Sequence, residues 1–379
     1  TTGESGFLDH VVLTLNKMRG SLTFDQKDGG FFRYSSQADW NEPHPEKLLE
    51  DQAALLSNCL HAYLLTGDAS HRELAEGLWD YLNSTLWDGA SGAFYGCQDY
   101  VRPEGQPTFG RTTGQEPLMP VIDNLIYCDA NARAAAACLE AWWILGMDEC
   151  RSRAQEVLDL LWDTLRAPGG GMYHYWDGEA RAPGMLTDSV AAGTAFLSAY
   201  AVLHEPKYLN RAQDLAADIV RMHRSADGGF LDISETGPAS LKVAIPVLTQ
   251  NAAVAAFFVR LAGLSGEIRH REEAVWALKS FPNSHRQYGA FAAGFGHALA
   301  RLLALPLPIT VSGIPGDPAV RAKARAALTQ HRHSDVVMRF REDRQEDRQE
   351  DRQEDRQLGP AEDDLSQSPP ATAAVDTAS

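Results

Sequence analysis

The chain has 379 residues, 44% hydrophobic and 22% charged, the make-up of a soluble globular protein with one large domain or two modest ones. Its 34 basic and 51 acidic residues leave a net charge of −17, which argues against nucleic acid or an anionic membrane as a partner. No apolar run reaches the roughly 20 residues that span a bilayer, since residues 132–147 are broken by Arg133 and Glu140.

The chain opens Thr-Thr-Gly with no signal peptide and is expected to begin inside a longer product. Its five cysteines (Cys59, Cys97, Cys128, Cys138, Cys150) form no CxxC, so they read as reduced thiols of a cytoplasmic protein, not a disulfide frame or a zinc site.

An internal repeat organises the body. Gly-rich aromatic punctuation recurs at Asp28-Gly-Gly-Phe-Phe, Ser91-Gly-Ala-Phe-Tyr, Gly169-Gly-Gly-Met-Tyr and Asp227-Gly-Gly-Phe-Leu, with a degenerate copy at Gly289-Ala-Phe. The aligned residues Phe31, Phe94, Met172 and Phe230 lie 63, 78 and 58 apart. Amphipathic segments at 75–82, 154–161, 212–219 and 274–281 keep the same phase, with offsets of 79, 58 and 62. Their charged faces predict outer helices. Segments richer in small and apolar residues, at 48–65, 131–145, 190–203, 252–264 and 291–305, predict buried inner helices. Repeated helix pairs describe an open solenoid or a closed α/α toroid, and the Gly-Gly-aromatic links, gathered at one end, favour the toroid. About ten helices are legible against the twelve of six hairpins, so one hairpin is expected to be missing or very divergent.

Three units follow: an all-α toroid over 1–305, a small strand–helix–strand appendage over 306–340, and a tail over 341–379. The tail carries four EDRQ tetrapeptides and is expected to be disordered, because it has almost nothing to bury.

The chemistry-bearing residues cluster at the predicted mouth. Asp28 leads the first turn, followed by Arg33, Tyr34, Asp39 and Trp40. His44 and Pro45 are expected at the start of an inner helix, with Glu46 and Glu50 at its positive end and Lys47 paired to Asp51 four residues on. His44 could act as a general acid or base, Arg33 could clamp a hydroxyl or carboxylate, and Trp40 could stack on a sugar. The alternative is a helix cap, a buried Lys47–Asp51 brace and aromatic filling. The third turn adds His174, Tyr175, Trp176 and Asp177, and Asp188 begins the next inner helix. Asn131 and Asn251 stand at other inner-helix starts, where capping alone would also explain them.

Two carboxylates such as Asp28 and Asp188 could hydrolyse a glycoside. Two histidines, His44 with His174 or His297, could instead move a proton beside a sugar carbonyl. His331-Arg-His333 is a weak metal motif, and no GxGxxG, GxxxxGK[ST] or GxSxG occurs, so neither metal nor cofactor is expected.

The stretch DGGFFRYSSQADWNEPHPEKLLEDQAALL, residues 28–56, closely resembles the GGGFxRYSxDxxWxxPHFEKMLYDNAxL signature of the thioredoxin-domain-containing family related to spermatogenesis-associated protein 20 and bacterial YyaL. Leu186-Thr-Asp-Ser and Leu248-Thr-Gln-Asn-Ala-Ala-Val-Ala-Ala, similar to the family's PSGNAxAA segment, extend the likeness over about 5–340. It departs at Pro45, Leu48 and Glu50, where the family has Phe, Met and Tyr.

The resemblance implies an (α/α)6-type toroid of the six-hairpin glycosidase kind, related in shape to N-acylglucosamine 2-epimerases and unsaturated glucuronyl hydrolases. In the family a thioredoxin-like domain and a further hairpin come first. This chain shows neither, which would account for the missing hairpin. The expectation is a carbohydrate-binding toroid acting as a sugar epimerase, isomerase or glycosidase. The alternatives are a scaffold, or a redox accessory working with a separate thioredoxin-like protein.

Overall fold

The computed structural model describes residues 5–101, 119–331 except 239, 242, 282 and 305, and 336–341. The acidic tail expected beyond residue 341 lies outside the described residues.

The helices in chain order are α1 (Ser5–Arg19), α2 (Leu49–Thr66), α3 (Ala69–Tyr81), α4 (Cys128–Leu145), α5 (Asp148–Asp163), α6 (Leu186–Leu203), α7 (Pro206–His223), α8 (Leu248–Ser265), α9 (Arg269–Lys279), α10 (Ala293–Leu303) and α11 (Pro318–Gln330). The even-numbered helices up to α10 form the inner wall, α2 packing on α4, α4 on α6, α6 on α8 and α8 on α10. The first five odd-numbered helices back them outside, so the body is an α/α toroid of five outer–inner pairs among the described residues.

Composition explains the layering. The fourth residue of each of four inner helices and much of their length are buried, with Ala132, Ala134, Ala135, Ala195 and Ala255 letting neighbouring helices approach closely. Three inner helices end on a glycine in the left-handed region, Gly67, Gly146 and Gly266, whose N–H returns to the last turn. In α6 that place is taken by His204, at φ 60°.

α10 departs from the expected inner helix. It starts at Ala293, and Phe291, in the 3-10 segment before it, is 78% exposed. Leu303 is 75% exposed, and so is 62% of Phe7 on α1 at the other end of the row. Among the described residues, these two ends show no neighbour like those that flank α4, α6 and α8 on both sides.

Short strands precede the inner helices: β1 (Glu46–Leu48), β2 (Trp87–Asp88), β3 (Ala93–Phe94), β4 (Cys97–Val101), β5 (Met119–Asp123), β6 (Ile126–Tyr127), β7 (Tyr173–Trp176) and β8 (Ala180–Pro183). β4 pairs antiparallel with β1 and β5, and β7 with β6 and β8. The β4–β5 hairpin fills the interval where the repeat spacing is longest, between Phe94 and Met172.

The helix start expected at His44–Pro45 is corrected. Glu46 to Leu48 pair with Asp99 to Cys97, and the Leu49 N–H donates to Gly96 O, which holds the chain extended until Leu49. After α10 come β9 (Leu307–Ser312), α11 and β10 (Val336–Arg341), the two strands pairing in parallel.

Candidate functional site

The inner helices present their first turns at one mouth, and those turns align residue by residue: Leu49 to Gln52, Cys128 to Asn131, Leu186 to Ser189 and Leu248 to Asn251. The fourth residue pins the preceding Gly-aromatic loop. Asn251 Oδ1 accepts from the Phe230 N–H at 2.7 Å, and its Nδ2 donates to Phe230 O and Val247 O. Asn131 does the same for Phe94, and Gln52 for Phe31. Asn131 and Asn251 are wholly buried, which corrects their expected role as substrate ligands: the amides satisfy loop backbone that has no other partner.

The third unit breaks the rule. Ser189 is too short to pin Met172, and its buried hydroxyl has no partner. Here the loop is held from the outer layer, where Asp218 accepts from the Gly171 N–H at 3.0 Å and Arg166 donates to Gly171 O at 2.7 Å and pairs with Asp218.

The same unit carries the most unusual polar contact. Asp188, fully buried in the first turn of α6, has both carboxylate oxygens 3.1 Å from Nδ1 of His174 on β7. Burial pushes the Asp188 carboxyl up to about 6, against the pull of His174 and of a backbone hydrogen bond from Asp129. The bond to Asp188 in turn raises His174 above the ordinary imidazole value. The Tyr127 ring lies 5.7 Å from that of His174, and its hydroxyl donates to Asp123 at 3.1 Å. One ligand atom each from Asp129, His174 and Asp188 lie within 4.8 Å of one another, so these three could hold a cation.

The other expected residues fall elsewhere. Asp28 is exposed, its carboxylate 3.9 Å from Lys27, so the structure brings Asp188 to His174 rather than to Asp28. Lys47 is completely buried on β1, with Nζ 2.8 Å from Asp25 and 2.7 Å from Gly29 O, among the rings of Phe32, Tyr81 and Tyr100. The expected Lys47–Asp51 pair is therefore corrected. The β1 pleat sends Lys47 inward, while Asp51 sits in the first turn of α2, its carboxyl raised by burial and by Glu50.

His44 forms a second cluster. Its ring stacks on Tyr34 at 5.0 Å, and Nε2 lies 3.7 Å from Glu46, which accepts from Arg33 at 2.8 Å. Trp40 is half-buried, with its carbonyl accepting from Thr23. Trp176 packs against the core, and Asp177 is exposed at the β7–β8 turn, bonded to Arg181. His297 is exposed on α10.

Sequence reasoning missed Gln52, Asp25 and Tyr127. Aligning the four first turns, instead of reading each as a separate cap, would have found Gln52.

A cavity of about 650 Å³ runs down the ring from Thr187 and Thr249 at the mouth to Arg260 and Arg301. His174 and Asp188 are not among its lining residues, although Thr187, next to Asp188, is. The link is Asp129, which pairs at 3.9 Å with the cavity-lining Arg133.

No family model matches the chain. Over 90 residues it is 37% identical to spermatogenesis-associated protein 20 of Mus musculus and of Homo sapiens, covering 24% of this chain and 11% of those proteins. The match thus spans about a tenth of the length of these curated relatives. Among solved structures, a sugar epimerase from a ruminal bacterium superposes with a TM-score of 0.60 at 13% identity, over 86% of this chain and 85% of that one. A D-mannose isomerase gives 0.57 at 19%, over 72% and 68%. A family 76 glycoside hydrolase from a bovine Bacteroides thetaiotaomicron strain gives 0.57 at 14%, over 88% and 70%. The chain is similar to spermatogenesis-associated protein 20 over those 90 residues, and its fold is that of the α/α toroids among these solved structures.

Proposed function

We propose that this protein acts on a carbohydrate at the mouth of its ring, as a sugar isomerase or epimerase in which His174 moves the proton and Asp188 positions His174. The observation that carries this reading is the buried Asp188 carboxylate facing Nδ1 of His174 through both oxygens.

With Nδ1–H donated to Asp188, Nε2 is the nitrogen left to exchange a proton. A sugar whose carbonyl carbon neighbours a C–H over this ring would lose that proton to Nε2. The C–H electron pair would pass into the carbonyl to form an enediolate, and the imidazolium would return the proton to one of the two carbons or to the other face. Buried Asp188 stabilises the imidazolium that forms. His44, at the same end of the ring, is the candidate for a second proton carrier.

Hydrolysis is supported less well. An inverting glycosidase separates its carboxylates by about 6.5–9.5 Å to admit a water and a retaining one by about 5–5.5 Å, and in both cases each carboxyl must reach the sugar. Asp129 and Asp188 each offer an oxygen within 4.8 Å of the other, and Asp188 has no exposed surface. The structural neighbours include sugar epimerases and isomerases and a family 76 glycoside hydrolase alike, so the preference rests on the His174–Asp188 geometry.

The test is proton exchange. Mono- and disaccharides are incubated with the protein in D2O, and loss of the signal from the proton beside the carbonyl is followed by NMR. Exchange with at least one sugar is expected, falling 100-fold or more in His174→Ala with the circular dichroism unchanged. Exchange that survives His174→Ala, or no exchange with any sugar, would overturn the reading in favour of a binding or scaffolding toroid.

A further inference from the structure

We propose that the floor of the ring is an oxyanion site, in which Arg260 and Arg301 receive a phosphate or carboxylate carried by the ligand. It lies at the far end of the cavity from the mouth residues Thr187 and Thr249 and stands whether or not the proposed proton transfer does.

The cavity's lining is lopsided in charge. Among the described residues that line it are three arginines, Arg133, Arg260 and Arg301, and no carboxylate, in a chain whose net charge is −17. Arg133 sits near the mouth and is paired with Asp129. The other two lie deep: from Thr249 to Arg260 the α8 axis descends about 16 Å.

Arg260 and Arg301 also line a second cavity of about 230 Å³ beneath, closed by Val336, Val337 and Met338 of the appendage. That cavity adds Arg271, which donates to Leu302 O, and one acid, Glu140. Glu140 accepts from Ser57 at 2.5 Å and stands 3.8 Å from His61. Among the described residues that line the floor, three are arginines and one is a carboxylate, Glu140, which is engaged by Ser57.

Such a concentration of like charge is costly in a low-dielectric enclosure. Arg260 shows it. Burial, and then the neighbouring Arg301, lower its pKa to about 10, with Glu140 acting in the opposite sense. Its Nη1 donates to Ser198 Oγ at 2.9 Å, a neutral partner. An oxyanion there would accept from guanidinium forks in the planar, paired geometry they favour, and would relieve the repulsion. The chemical class is an acidic ligand, phosphorylated or carboxylated, with its charged end inward.

The probes are inorganic phosphate, glucose 6-phosphate, glucuronate and neutral glucose, added to the full chain at constant ionic strength in chloride. Melting temperature and titration calorimetry are the readouts. We expect saturable stabilisation by phosphate, by glucose 6-phosphate or by glucuronate that glucose and chloride do not give. A response to phosphate alone or to glucuronate alone assigns the group.

Arg260→Gln should weaken that binding at least tenfold, with Arg260→Lys in between. If Arg260→Gln does not fold, Arg301→Gln gives the same reading. His174→Ala should keep the response while losing proton exchange, which separates failure of this site from failure of the reaction. Stabilisation no greater than chloride's, or undiminished in the arginine variants, would overturn the proposal.

Discussion

Ser189 occupies in α6 the place that Asn251 occupies in α8, the fourth residue of an inner helix, yet only Asn251 reaches the backbone of its loop. Opposite effects of truncation follow. Asn251→Ala removes three hydrogen bonds and strands a buried N–H and carbonyl of Phe230, so a loss of about 2–4 kcal/mol is expected. Ser189→Ala removes a buried hydroxyl that has no partner, so stability should stay level or rise slightly. Urea unfolding of both variants decides it. Equal losses would mean that Ser189 is held by something its geometry does not show.

The His174–Asp188 pair should leave a signature in the pH dependence of stability. Asp188 keeps a proton up to about 6 when folded, against an ordinary 3.8, and His174 is raised as well. The folded state therefore binds more protons than the unfolded one, and stability falls as pH rises through this window. Relative to Asp188→Asn, the wild type should lose stability between roughly pH 4 and 7, by at most about 1.4 kcal/mol per pH unit per proton. A difference that is flat, or that grows with pH, would show that Asp188 is not buried as described.

Lys47 tests whether polar residues in the first loop serve ligand or fold. Burial lowers its pKa, and Asp25 works against that. For Asp25 burial acts upward, but Lys47 and the N–H groups of Lys27 and Asp28 hold its carboxyl below the usual range. Lys47→Met would leave Asp25 without its cation, at about 3–5 kcal/mol. Thermal unfolding should show the loss, while any sugar response keeps its midpoint. A weakened response in a variant of unchanged stability would restore Lys47 to the site.

Much of the fold was legible because helix period and glycine spacing are local and repeat. Phe31, Phe94, Met172 and Phe230 were aligned from spacing alone, and all four are buried plugs. The site was less legible because its contacts join residues that no spacing relates. Lys47 reads as an i,i+4 partner of Asp51 on any helical wheel. Three residues of β1, set by pairing with β4, turn it to Asp25 instead. Asn131 and Asn251 look like ligands when read singly, and only their loops reveal them as pins. Asp188 and His174 were both singled out, but each was given a different partner, because a strand from one loop and a helix start from the next meet only in the folded ring.

The appendage offers a last prediction. Its helix α11 sends Arg321 Nη1 to Trp142 O at 2.7 Å and Arg325 Nη1 to Trp143 O and Ile144 O at 3.0 Å each. These carbonyls end α4; Trp142 O also accepts from the Gly146 N–H, and the arginines supply further donors that cap the helix from outside. Phe340 on β10 adds an edge contact to Trp143 at 5.7 Å. Replacing both arginines by methionine keeps the apolar stems and removes the charged donors, with an expected loss of roughly 2–4 kcal/mol. Hydrogen exchange would show where it falls. Amides of β9, β10 and the last turn of α4 should exchange faster, while those of α6 and α8 keep their protection. Faster exchange throughout the ring would mean instead that the appendage is part of what closes the toroid. Because β10 also walls the cavity beneath Arg260, the same variant should widen access to the floor from below without disturbing His174.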